Sequence, residues 1–333
     1  MKEEFARRHD MVLDLFRLLT EEAKKQKEDF VFIGGSAVQC VLKKPRRLSI
    51  DLDVWYSGNV DQLMASLGSD YSVEVRPSKA EMFRFFRVVR NHDGLLVKVD
   101  FLRHSLLVQE SPYIKHKVDA PAGSFTGYVA SPDYLLASKL VALGVNTLGR
   151  VRKQNFESDF IKDVVDCNSL LTEHGLSGKT WPYFFGVCQV QNKFLDKTHS
   201  VVDVASDAVK VLIECSDVSG AESLIQSQDL GRGNFGEYLL SGSLTKNEFS
   251  LLACRVAACL SFMQHFEGAA AVEAFSRLEK TVKARFQDRA FLRKASSELS
   301  EKGLKTEYLN GLRTLAPKAL IYLHAAILPA GYG

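Results

Sequence analysis

The chain has no paired cysteines. Six are spread over 333 residues (Cys40, Cys167, Cys188, Cys215, Cys254 and Cys259), with no CxxC and no doubled spacing of the kind that holds zinc. They read as small apolar residues in a reducing compartment, which excludes a disulfide scaffold and a zinc ribbon. Long apolar runs are also lacking. The longest, Leu251–Met263 and Ala319–Ala330, are short for a membrane span and are interrupted by Arg255 and His324. The opening MKEEFARRHD is charged and carries no signal-peptide core. These features predict a soluble, cytoplasmic protein with no membrane partner. No sign of charge dominates. A net charge of +3 permits nucleic-acid contact without requiring it, because a local patch is what matters. Low-complexity segments and repeats are missing as well. The 46% apolar content suffices for a packed core, and the length suggests two domains or one large one.

The informative stretch is FVFIGGSAVQCVLKKPRRLSIDLDVWY, from Phe30 to Tyr56. It reads as a strand, a Gly34-Gly35-Ser36 turn, a short helix and a second strand. Side chains two apart on a strand share a face, so Asp51 and Asp53 project together while Ile50, Leu52 and Val54 take the other face. Two adjacent carboxylates repel and call for a compensating cation. Mg²⁺ is the natural one, because it is held by a few carboxylates and by substrate phosphates. Gly34, Gly35 and Ser36 stand where backbone N–H groups and a hydroxyl approach a phosphate. Lys43, Lys44, Arg46 and Arg47 surround Pro45 just before the acidic strand. That cluster reads either as a solvated loop or as electrostatic help to a triphosphate or RNA.

Around this stretch the pattern predicts an amphipathic helix over 3–28, a helix over 60–67, and strands over 71–76, 82–90 and 95–103. The turn Asn91–Gly94 joins the last two strands as a hairpin. Asp100 is a carboxylate in the middle of the apolar strand LLVKVDFL, so it is either an exposed charge or a third metal ligand. His104–Tyr128 reads as a loop at a cleft mouth. Ser131 and Pro132 open the helix SPDYLLASKLVALG. Within it Lys139 is flanked by Leu135, Leu136, Ala142 and Leu143, so it needs a partner, snorkels outward, or reaches a phosphate. A basic connector with Arg150, Arg152 and Lys153 leads to a helix ending at Gly175, on which Asp163 and Asp166 share a side.

Four segments, FIGGSAV, RLSIDLDV, PDYLLASKL and KDVVDCNSLL, occur in that order across residues 30–171. Together they resemble the AbiEii/MenT-type nucleotidyltransferase toxins of type IV toxin–antitoxin systems, a branch of the nucleotidyltransferase superfamily. The resemblance implies an α+β, polymerase-beta-like catalytic domain with a mixed sheet over 1–175. Residues 176–333, read from periodicity, form an all-helical C-terminal domain. It implies that Gly35 and Ser36 hold nucleotide phosphates, that Asp51 and Asp53 bind Mg²⁺, and that Lys139 binds the triphosphate. It also implies that Asp163, with Asp166 as the neighbouring choice, positions nucleotide or acceptor, and that Arg47 and Ser49 stand beside the metal. The activity implied is Mg²⁺-dependent transfer of NMP from an NTP to a nucleic acid, most simply a tRNA 3′ end, in a protein with a cognate antitoxin. Transfer to a small molecule or a protein side chain, and a catalytically inactive nucleotide-binding module, stand as alternatives.

In the second half, helical patterns run near 198–215, 245–266, 268–287 and 305–328, with glycine-rich breaks at 231–236 and 241–242. Between Arg277 and Lys305 basic residues outnumber acidic ones, and Phe286 and Phe291 are interleaved among them. That segment reads either as a track for an RNA backbone or as a solvated helix face. GRGNFG at 231–236 reads as a loop.

Overall fold

The computed structural model describes residues 2–78, 83–103, 112–149, 156–217, 239–240 and 244–332. Arg150, Arg152, Lys153 and the glycine-rich segments at 231–236 and 241–242 lie outside these. The chain divides into two compact units, Met1–Leu135 with Glu237–Ser241, and Leu136–Gly236 with Gly242–Gly333. The division falls inside a helix, upstream of the 175/176 boundary read from the sequence.

The first unit is built on a mixed seven-stranded sheet. Its strands are β1 (Phe30–Ile33), β2 (Asp51–Tyr56), β3 (Tyr71–Arg76), β4 (Phe83–Arg90), β5 (Leu96–Leu102), β6 (Tyr113–Ala120) and β7 (Gly123–Ala130). Across the sheet they run β3-β4-β5-β2-β1-β7-β6. β1 pairs antiparallel with β2 and parallel with β7, and β2 pairs parallel with β5. Strands β1 and β2 therefore occupy the middle, where a sheet is best shielded from water. Helix α1 (Lys2–Lys25) lays Val12, Leu15, Phe16 and Leu19, all fully buried, against the sheet. Phe16 rests 4.3 Å from Phe32 between ring centroids. Helices α2 (Gly34–Val41) and α3 (Val60–Ala65) complete the unit, the latter capped by Asn59 through the Gln62 amide.

Arg47 forms an isolated antiparallel bridge with Leu239, and the Leu240 amide donates to the Arg46 carbonyl at 3.0 Å. A segment from far down the chain thus closes the basic turn before β2.

The second unit is helical over its described residues. After the shared α4 (Pro132–Ala142) come α5 (Phe156–Glu173), α6 (Thr180–Leu195), α7 (Val201–Cys215), α8 (Lys246–His265), α9 (Gly268–Arg285), α10 (Arg289–Glu301), α11 (Thr306–Leu315) and α12 (Pro317–Ile327). Helix α8 is the central element, packed against α7 and α12 and apolar for most of its circumference. Helices α7 and α8 each begin at a capping box, Ser200 with Asp203 and Thr245 with Glu248.

Three expectations are corrected. The His104–Tyr128 loop is in large part the β6–β7 hairpin, with Tyr113 opposite Ala130; residues 104–111 lie outside the described set. Its strands are mostly exposed, so they lack the alternation that marks a half-buried strand. Helix α6 had no counterpart in the pattern. Pro182 and Gly186 weaken its helical signal, and packing of Tyr183, Phe184 and Val187 overrides that weakness. The single helix near 305–328 is two, because Pro317 cannot continue a helix but suits the first turn of a new one.

Arg255 ties this unit together. Its Nε donates to Glu279 Oε1 at 2.7 Å and its Nη1 to Thr172 Oγ1 at 2.8 Å, while the Tyr322 hydroxyl donates to the same Glu279 oxygen at 2.9 Å. Helices α5, α8, α9 and α12 meet in this network. Arg255→Leu should lower stability by about 1–3 kcal/mol, since Glu279 and Thr172 lose a charged donor. Urea unfolding should show a lower midpoint at unchanged slope.

Candidate active site

Residues 33–53 build the first cluster. Strand β1 ends at Ile33, opposite Asp53 of β2. The chain then turns directly into α2, with Gly34 in the left-handed region at φ 71°. A Cβ at residue 34 would overlap the Asp53 carboxylate, and one at residue 35 would lie 2.7 Å from Arg47 Nη2 and 2.8 Å from Ser49 Oγ. Both glycines are therefore required by close approach, and Gly34 by backbone conformation as well. The α2 amides nearest this turn have no intrahelical partners, as at any helix start, and they sit at the positive end of the helix dipole.

Ser36 is fully buried, and its hydroxyl donates to the Asp51 carbonyl at 2.7 Å. Its only proton is thereby committed to fixing the acidic strand. A phosphate at this turn would meet the Ser36 backbone amide rather than its hydroxyl. Arg47 and Ser49 are buried too, at 4% and 8% exposure, and Arg47 Nη1 donates to the Leu48 carbonyl at 3.1 Å. His9 on α1 donates from Nδ1 to the Ser49 carbonyl at 2.9 Å, which specifies that tautomer. Burial lowers the His9 pKa, so the ring is held neutral. Sequence reasoning missed His9, since nothing local connects residue 9 to residue 49.

Asp51 and Asp53 share the less-buried face of β2, and Leu52 and Val54 are fully buried on the other. Asp100 of β5 is directly opposite Asp53 in the parallel register, and Lys98 is opposite Asp51. Burial first, and the Asp51 charge second, push the Asp100 pKa up to about 6. Asp100 Oδ1 is buried without a hydrogen-bond partner. Among the described residues no group of three or more His, Cys, Asp or Glu side chains is placed to hold a metal ion by itself. Asp100 thus shares the face of Asp51 and Asp53 without completing a closed carboxylate cage. The residues fit a cation of the Mg²⁺ kind, which takes one or two carboxylates and leaves its other positions to water and phosphate oxygens. The orphaned Asp100 oxygen is a buried acceptor that such a cation or its water would satisfy.

The second cluster lies on α4 and α5. Lys139 Nζ sits 2.7 Å from Asp163 Oδ1 and 3.0 Å from Asp166 Oδ2. Its side chain is 9% exposed, and those of Asp163 and Asp166 are 0% and 4% exposed. The partner that the apolar surroundings of Lys139 demanded is this aspartate pair, one helical turn apart on α5. Of the readings of Lys139, snorkelling is excluded. Asn168, on the next turn, donates to the Val164 and Leu252 carbonyls at 3.0 and 2.9 Å, which fixes α5 against α8. Cys167 between them stays a thiol, its pKa raised by burial and by the two aspartates.

A family model described as the nucleotidyl transferase AbiEii toxin of a type IV toxin–antitoxin system matches residues 17–181. A crystal structure of an antigenic nucleotidyltransferase-like protein from Paracoccidioides brasiliensis is similar at 15% sequence identity and a TM-score of 0.38, over 59% of this chain and 91% of that one. No curated protein matches the chain. No helix among the described residues is long and apolar enough to cross a membrane.

Two predictions follow from the clusters. Lys139→Met should cost about 3–5 kcal/mol, because it takes the ammonium away from two buried carboxylates. Adding Asp163→Asn and Asp166→Asn should restore part of that loss, read as the denaturant midpoint. For Asp100 the folded pKa lies above the unfolded one, so its ionisation opposes folding, and the cost appears as pH rises from about 4 through 6. Asp100→Asn should therefore melt a few degrees above the wild type at pH 8 in the absence of divalent ions, and no higher than it at pH 4.

Proposed function

We propose, from the match of residues 17–181 to the AbiEii nucleotidyltransferase toxin family, that the chain transfers NMP from an NTP to a nucleic-acid acceptor, the 3′ end of a tRNA, in an Mg²⁺-dependent reaction. The observation that carries this reading is the acidic face of β2. Asp51 and Asp53 project together, Gly34 gives Asp53 room, and an orphaned Asp100 oxygen adds negative charge beside them.

Asp51 and Asp53 are the proposed metal ligands. Bound there, Mg²⁺ would orient the triphosphate and acceptor hydroxyl and offset charge on the pyrophosphate leaving group. The chain's own residues have positioning roles. The Gly35 and Ser36 amides bind phosphate oxygens at the start of α2, a favourable place for an anion. The Ser36 hydroxyl, by holding the Asp51 carbonyl, sets the register between that turn and the metal ligands. Arg47 and Ser49 pack under Gly35 and keep the turn tight. His9 braces the same segment from α1. Asp100 raises the negative potential of the face and thereby its preference for a divalent ion.

Lys139 and Asp163 take the triphosphate- and nucleotide-positioning roles that the family resemblance implies, with Asp166 as second anchor of the ammonium. A lysine clamped by two buried aspartates is pre-oriented, so little side-chain entropy is lost when it acts. All these residues fall within the proposed catalytic domain, residues 1–175. The described residues after 175 are helical apart from Leu239 and Leu240, which belong to the first unit, and their helices are proposed as the companion domain. The toxin family carries with it a cognate antitoxin as partner, and the substrates named here place the action in the cytoplasm.

The deciding test incubates the protein with Mg²⁺, total tRNA and each labelled NTP in turn, beside Asp51→Asn. Label should reach tRNA with the wild type and fall by at least about 10³-fold in the variant, whose melting temperature should stay close to wild type in EDTA. Equal labelling by Asp51→Asn would remove Asp51 from the metal site. Absence of tRNA labelling, with NTP binding retained, would shift the acceptor to a small molecule or a protein.

A further inference from the structure

One cleft with a distinct chemical character belongs wholly to the second unit. It measures about 680 Å³ and lies where α9 ends, α10 begins, α11 ends and α12 begins. Three of its lining residues are arginines, Arg289, Arg293 and Arg313, and Phe286, Leu292 and Pro317 supply apolar surface. Among the described residues that line it, none is acidic.

The arginines are not spent on local carboxylates. Arg293 Nε donates to the Arg289 carbonyl at 3.3 Å, and Arg313 Nη2 donates to Asn310 Oδ1 at 3.0 Å, both neutral acceptors. The acids of this region are engaged elsewhere. Asp288 caps α10 through the Ala290 and Phe291 amides and pairs with Arg285 at 2.9 Å. Glu298 pairs with His324 at 2.6 Å, and Glu279 with Arg255 at 2.7 Å. The positive charge around the cleft is therefore largely uncompensated. Two further features add to it. Helix α12 starts at the cleft with Pro317 in its first turn and no side-chain cap, which puts the positive end of its dipole beside the arginines. Lys318 Nζ lies 4.7 Å from the centroid of the Phe286 ring, which brings a fourth cation to the rim.

Guanidinium groups, a helix start and an aromatic ring beside them are the parts that bind phosphates joined to bases. Exposed Lys280 and Lys283 on α9, and Lys302 just after α10, extend the basic surface, while Lys294 pairs with Glu298 at 3.8 Å. A run of positive charge longer than the cleft suits an extended polyanion better than one small phosphate ester. We propose that this cleft is a docking site for the phosphodiester backbone of a single-stranded nucleic-acid segment, with Arg289, Arg293 and Arg313 as its phosphate ligands. This deepens the proposed function, whose acceptor is a nucleic acid, by giving the helical unit a part in holding it.

The test measures binding rather than transfer, so its failure is separate from failure of the catalytic reading. Fluorescence anisotropy of a 5′-fluorescein-labelled 12-nucleotide RNA is followed with the full chain, without NTP or divalent ion, across a series of salt concentrations. The triple variant Arg289→Gln, Arg293→Gln, Arg313→Gln should bind at least about tenfold more weakly at low salt. Its plot of log affinity against log salt should be shallower by about 2, as expected for three lost phosphate contacts on a single strand. A charge-matched control, Lys179→Gln, Lys193→Gln, Lys210→Gln, changes exposed residues of α6, α7 and the turn before α6, and should keep the wild-type affinity. Thr314→Glu, which places one negative charge in the cleft, should weaken binding on its own without altering the arginines. Equal weakening by the control would overturn the proposal in favour of diffuse attraction. Competition by AMP or tripolyphosphate at the same phosphate concentration as the RNA would overturn the strand assignment and make the cleft a small-ligand site.

Discussion

The first unit depends on a missing side chain. Asp53 occupies the space that any substituent on residue 34 would need, and the chain can turn from β1 into α2 only through a left-handed residue at that point. Sheet, helix start and carboxylate are thus locked into one arrangement by excluded volume rather than by attraction. The attractive contacts follow from it. With the turn so close to β2, Ser36 reaches the Asp51 carbonyl and Arg47 and Ser49 fill the space under Gly35. The outcome is a phosphate-sized concentration of backbone donors next to a face with an excess of carboxylate. Each would be unfavourable beside its own kind, and each suits one component of a metal–nucleotide complex.

The helical unit solves a different electrostatic problem. Lys139, Asp163 and Asp166 carry three charges out of water, a cost recovered only by short contacts. Arg255 with Glu279 forms a more ordinary tie, in which one guanidinium serves several acceptors on two other helices. Close ionic packing near α4 and a cationic cleft near α12 give this one unit two electrostatically distinct regions.

How much of this could be read from the sequence depended on the range of the forces involved. The face shared by Asp51 and Asp53 was legible, because strand periodicity is local and Leu52 and Val54 between and after them are apolar. The demand of Lys139 for a partner was legible from its helical neighbours. The identity of that partner was not, because a contact 24 residues away is tertiary. The commitment of the Ser36 hydroxyl to Asp51 was hidden for the same reason. The β6–β7 hairpin escaped notice because an exposed pair of strands carries no alternation, and α6 because Pro182 and Gly186 obscure a helix that burial of its aromatic residues stabilises. Pro317 did mark a true break, but apolar periodicity continues across it and concealed the break.

The bridge between Arg47 and Leu239 bears on how the protein is made. The turn that leads into the acidic strand is completed by residues almost two hundred positions later. A ribosome-bound chain that has released only the sheet therefore displays β2 with its basic approach unclosed, and the segment carrying Leu239 and Leu240 must emerge before that end of the sheet is finished. Synthesis of the helical residues between them sets a delay. During that delay the nascent acidic face has its ligands in sequence order but not yet its final support.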